Sequence, residues 1–149
     1  MKSSYTFLLI LFITLSGCQK QVGIEDLNNL NGYWEIDSVT TKEGKEIEFK
    51  FNESVDFFEI EGTKGIRTKV KPQLDGAFIK TNDAEGFTAD LQNEKLFLHY
   101  ETNFDAWDER ILYLDNSKLI TKNDQDITYT YRRFTGYLDK DTITNGKKK

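Results

Sequence analysis

The chain has 149 residues, 25 acidic against 20 basic side chains, and a formal net charge of −5. That length is about one domain, and an acidic balance with no clustered basic stripe excludes nucleic acid as a partner, because phosphates need grouped Lys and Arg. Cys18 is the only cysteine, so no disulfide can staple the fold, and its apolar core must hold it alone.

Met1-Lys2 makes a basic start, Phe7 to Leu15 is an apolar run containing one Thr, and the small residues Ser16 and Gly17 lead into Cys18. About nine residues are too few to cross a ~30 Å hydrocarbon core but suit the apolar region of a secretory signal. Leu15-Ser16-Gly17-Cys18 resembles the bacterial lipoprotein signal. That resemblance implies removal of residues 1–17, acylation of Cys18 and attachment to a membrane through the N-terminal lipid. Several acyl chains together give stable anchoring. Gln19 after the cysteine resembles outer-membrane sorting, so attachment facing the periplasm is expected rather than surface display.

Residues 18–31 read as a tether and a short helical turn, since Ile24, Leu27 and Leu30 recur every three residues. Residues 32–135 then alternate apolar and polar with a period of two, as half-buried strands do. Trp34 and Ile36 open the series, and Ile47, Phe49 and Phe51 continue it. Further strands are expected at 54–61, 65–71, 76–81, 87–91, 95–101, 108–114, 118–122 and 127–134, with turns between them, among them Asp83-Ala84-Glu85-Gly86. No long stretch has a helical period, so the fold class is all-β: an antiparallel up-and-down meander of eight to ten strands closed into a barrel. Residues 136–149, ending in three lysines, are expected to be a solvated, mobile tail.

Leu30-Asn31-Gly32-Tyr33-Trp34-Glu35-Ile36 resembles the opening of lipocalins and of lipocalin-like lipoproteins from Bacteroidetes-type bacteria. In that family a helical turn precedes a Gly-x-Trp on the first strand, and an Arg at the end of the last strand packs across the Trp to close the barrel base. The resemblance implies that role for Trp34 with Arg132 or Arg133. Arg133 is favoured because it shares a strand face with Ile127, Tyr129 and Tyr131. Thr102 to Trp107 is a partial counterpart of the family's middle Thr-Asp-Tyr-x-x-Tyr motif. Fatty-acid-binding proteins insert a helical pair after the first strand, for which 41–45 leaves no room.

Catalytic chemistry finds little to work with. His99 is the only histidine and alternates with Phe97 and Glu101, which marks a packed or surface strand residue. Asp105, Asp108 and Glu109 lack calcium-loop spacing and read as solvated loop acids. No cofactor or metal is expected, and no enzymatic activity. Seventeen of the twenty aromatics lie beyond residue 17, enough to fill most of an eight-stranded interior. Phe104 and Trp107 stand among acids and Asn103, as in a loop at a barrel mouth, where they could form a portal or simply close the barrel end. The expected protein is a monomeric, lipid-anchored binding barrel. Its ligand is a small apolar or amphipathic molecule, or else a packed barrel serves as an interaction or inhibitor module for an envelope protein.

Overall fold

A computed structural model describes residues 21–137. The expected signal, Cys18 and residues 138–149 lie outside them. The described chain opens with a 3₁₀ helix, Ile24–Leu30, whose three-residue period puts Leu27 and Leu30 on its buried side. Nine strands follow: β1 (Gly32–Thr40), β2 (Glu46–Glu48), β3 (Val55–Glu61), β4 (Lys64–Pro72), β5 (Phe78–Gln92), β6 (Lys95–Glu101), β7 (Ala106–Leu114), β8 (Lys118–Asn123) and β9 (Thr128–Arg133).

Every pairing is antiparallel. Strands β3 to β9 form a meander, and β1 joins both its ends. Gly32 to Trp34 pair with β3, and Trp34 to Thr40 pair with β9. Eight strands thus close into a barrel, which abolishes their edges. The short β2 stands outside the closure, paired only with Ser38 to Thr40 of β1.

Two sequence expectations fail here for the same physical reason. Asp83 to Gly86 form no turn, because Glu85 and Gly86 pair with Arg67 and Ile66. The expected strands 76–81 and 87–91 are therefore one 15-residue strand. Three of its residues, 81–83, bulge opposite Lys69, whose carbonyl accepts from the Thr81 hydroxyl at 2.7 Å. Pairing with β4 overrides the local turn composition. The apolar alternation at 47–51 likewise forms no buried face. Ile47, Phe49 and Phe51 are exposed, because among the described residues β2 has no partner beyond β1.

The core divides into two. Trp34, Phe58, Phe87, Tyr100 and Tyr131 fill the barrel with Leu96, Leu98, Ile111 and Leu119. On the outer face, Tyr33, Phe57, Phe78, Phe134 and Tyr137 pack around Val55 and Val70. The aromatic count alone overstates the interior filling, since many rings serve this outer cluster. Tyr137 stacks on Phe51 and donates to the Asn52 carbonyl at 2.9 Å, so packing runs past residue 136, where a mobile tail is expected to begin.

Candidate functional site

The two barrel ends differ in chemistry. At the base the 3₁₀ helix meets the hairpins β3–β4, β5–β6 and β7–β8. Trp34 is fully buried there, and its indole N–H donates to the Leu30 carbonyl at 2.7 Å. The Arg133 guanidinium lies 3.7 Å from the Trp34 ring centroid. It also donates to three carbonyls: Asn31 and Asn29 at 2.7 Å and Asn116 at 2.9 Å. One cation thereby ties the helix end, the first strand and the β7–β8 hairpin together. Burial lowers its pKa, though Asp115 opposes the effect.

Gly32 makes this approach possible. Its φ of +114° suits glycine alone, and a Cβ there would sit 2.9 Å from Arg133 Nη1. Arg132, on the opposite face of β9, takes no part. It pairs outside the barrel with Glu35 at 2.9 Å and Asp37 at 2.7 Å.

The interior holds a second cation, one that sequence reasoning missed. Arg67 projects from β4 into the barrel and binds Glu85 of β5 at 2.6 Å and Glu109 of β7 at 3.0 Å. Strands β4 and β7 are three apart in the sheet, so this bridge crosses the barrel. Its guanidinium also stands 4.4 Å from the Tyr100 ring centroid, and Tyr100 stacks on Trp107 at 5.0 Å. Burial penalises the Arg67 charge, but the Glu109 and Asp56 carboxylates favour it, and its pKa lies above the ordinary value. Desolvation raises the Tyr100 and Tyr131 hydroxyls well above their usual pKa, so both stay protonated. Asp56 and Lys69 form a second interior pair at 2.9 Å. Among the described residues, the Tyr100 hydroxyl and the Thr121 Oγ1 are buried without a hydrogen-bond partner. Buried polar groups of this kind are few in native folds.

Above this cluster, between the β5 bulge and the β6–β7 hairpin, an open cleft of about 630 Å³ is lined by Asp83, Glu85, Glu101, Phe104, Asp105 and Trp107. Glu85 belongs to both cleft and cluster. Phe104 is 97% exposed on the hairpin, whereas Trp107 is half-buried and lies on β7 rather than in a loop.

Asp105, Asp108 and Glu109 go three separate ways. Asp105 stays in the hairpin, its carboxylate accepting from the Ala106 amide at 2.9 Å. Asp108 and Glu109 are strand residues, not loop acids, and Glu109 is only 5% exposed because β7 turns it inward to Arg67. Asp108 faces outward and holds His99 Nδ1 at 2.6 Å, while Asp90 holds Nε2 at 2.8 Å. These bonds, Asp90 foremost, raise the His99 pKa. Among the described residues, no group of three or more His, Cys, Asp or Glu is placed to hold a metal ion.

An inward Arg67 leaves one trace in the sequence. Within 65–71 the alternation places Arg67 and Lys69 together, opposite Ile66, Thr68 and Val70. Ordinary patterning turns the basic residues outward, and only pairing with inward-facing Phe58 reverses that.

Comparison with solved structures finds similarity to a lipocalin-like protein from Bacteroides uniformis, 12% identical, covering 71% of this chain and 99% of that one, with a TM-score of 0.44. An uncharacterized protein from Bacteroides eggerthii is 8% identical over 70% of this chain and 99% of its own, with a TM-score of 0.45. Lobster apocrustacyanin A1 is 12% identical, with 84% and 77% covered and a TM-score of 0.42. No curated protein sequence matches the chain. The family model of the lipocalin-like domain matches residues 30–121, from the last residue of the 3₁₀ helix into β8 and thus over more than half of the chain. The chain belongs to the family of lipocalin-like domains.

Proposed function

We propose that this protein is a lipid-anchored binding barrel of the bacterial envelope, held through acylated Cys18 at the outer membrane facing the periplasm. As a monomer, it takes one small amphipathic ligand through the cleft beside Trp107. The observation that carries the reading is Glu85, which lines the cleft and is also ion-paired to Arg67. A ligand seated there meets aromatic surface at Trp107 and Phe104, then a cluster in which two carboxylates share one guanidinium. Asp83, Glu101 and Asp105 add negative charge around the entrance. That balance favours a cationic or hydrogen-bond-donating head group over an anionic one. The unpartnered Tyr100 and Thr121 hydroxyls supply further polar contacts inside the barrel. The role is binding, with no bond made or broken.

The test uses residues 19–149 and the neutral probe N-phenyl-1-naphthylamine. Probe fluorescence should rise on binding, and dodecylamine should displace it at lower concentration than dodecanoate. Glu85→Gln should narrow that difference. Absence of any fluorescence rise, or preferential displacement by dodecanoate, overturns the reading. A second reading, an interaction module for an envelope protein, draws on the exposed Ile47, Phe49 and Phe51 beside β2. It becomes the better account if no amphiphile binds while an envelope partner is retained by the wild type and lost from Phe51→Ser.

A further inference from the structure

The first described residues fix the place from which the barrel is held. Val22 is buried in the barrel core, and the Gln21 side-chain amide donates to the carbonyl of Glu94 in the β5–β6 hairpin. That hairpin belongs to the base. In sequence, Cys18 lies three residues before Gln21, a stretch that spans at most about 11 Å even when fully extended. Apart from the 15-residue β5, strands of six to nine residues line the barrel. They rise ~3.3 Å per residue and tilt against its axis, so the mouth stands on the order of 20 Å from the base. The tether is shorter than the barrel is tall.

We propose that the acylated protein rests with its base against the lipid head groups and its mouth directed away from its own membrane. This rests on the reading that Cys18 is acylated. The loop tips fit the arrangement. Those of the base carry Gly62-Thr63, Asn93-Glu94 and Asn116-Ser117, polar residues suited to a head-group layer. The mouth hairpins carry the exposed Leu74 and Phe104, which the short tether keeps at the end away from the head groups. A membrane-bound barrel of this orientation takes its ligand from the aqueous phase and does not draw lipid laterally from its own leaflet.

The experiment uses the full acylated protein, reconstituted in phosphatidylcholine vesicles with a head-group spin-labelled lipid. Because acylation occupies Cys18, one introduced thiol is the only site for a maleimide fluorophore. Probes on Thr63→Cys and Ser117→Cys report the base, and probes on Leu74→Cys and Asp124→Cys report the mouth. Base probes should be quenched several-fold more strongly than mouth probes. Equal quenching at both ends, or stronger quenching at the mouth, on protein that floats with the vesicles overturns the orientation alone. Protein that does not float and carries no acyl mass overturns the acylation reading and this one with it.

Discussion

Replacing Trp34 with Ala tests the base clamp at its centre. The indole is fully buried, so its removal should cost about 3–5 kcal/mol, the range for large-to-small aromatic changes in cores. It also orphans the Leu30 carbonyl that accepts from the indole N–H. Arg133→Ala removes a cation–π contact of ~0.5–2 kcal/mol and three hydrogen bonds of ~0.5–1.5 kcal/mol each, with a discount for partial exposure. About 2–4 kcal/mol is the expected loss. The coupling between the two should be smaller than either loss, because the bonds to Asn29, Asn31 and Asn116 survive without the indole. About 1 kcal/mol is expected, with the cation–π contact as its source. Urea unfolding of wild type, both single variants and the double variant gives that coupling. Arg132→Ala serves as control. Its guanidinium and the Asp37 carboxylate are exposed and Glu35 keeps a contact with Asn52, so it should cost about 1 kcal/mol and add independently to Trp34→Ala. Should Trp34→Ala unfold the domain, Trp34→Phe replaces it in the cycle. Coupling below ~0.5 kcal/mol for Arg133, or equal coupling for both arginines, refutes the clamp.

Other expectations follow from single contacts. Gly32→Ala should lose on the order of 1–3 kcal/mol in urea melts, through the left-handed backbone and the crowding of Arg133; an unchanged midpoint counts against both. His99 has a pKa raised by Asp90 and Asp108, so its stabilisation is fully present below the unfolded value near 6.5 and is lost as pH rises through the folded value. Thermal melts should therefore show stability falling as pH rises above about 6.5, and His99→Gln should flatten that slope. The Asp115 carboxylate is held well below the usual range by the Tyr113 hydroxyl and by the amides of Ser117 and Lys118. Its contribution is present above the unfolded value near 3.9 and disappears only as pH falls through the folded one, so acid titration of Asp115→Ala should lack the most acidic part of the wild-type transition. Arg67→Met leaves Glu85 and Glu109 without their partner and should cost about 2–4 kcal/mol at neutral pH, an effect that Glu109→Gln in the same chain should partly reverse.

The barrel was readable because its strands obey a period of two and its helix a period of three. Leu27 and Leu30 are buried as that three-residue spacing requires. Alternation also separates the two neighbouring arginines: Arg133 keeps to the face of buried Tyr131, while Arg132 turns outward to Glu35. Where pattern and composition disagreed with pairing, pairing won. Asp83 to Gly86 has turn composition, yet Arg67 draws Glu85 into the ladder. The interior ion cluster was illegible because its members sit on three different strands, and nothing local tells Glu109 that Arg67 stands across the barrel from it. Conversely, the alternation at Ile47, Phe49 and Phe51 looks like a buried face only until the strand is found to have a single neighbour.

That lone neighbour gives β2 a further consequence. In a barrel otherwise closed on itself, its outer side offers free backbone donors and acceptors beside exposed apolar residues, the combination that recruits strands from other molecules. Its three residues are Glu46, Ile47 and Glu48, so a carboxylate stands on either side of the apolar one. Two such strands laid edge to edge would bring four negative charges together within a few residues. The short length and paired glutamates act as gatekeepers against self-association.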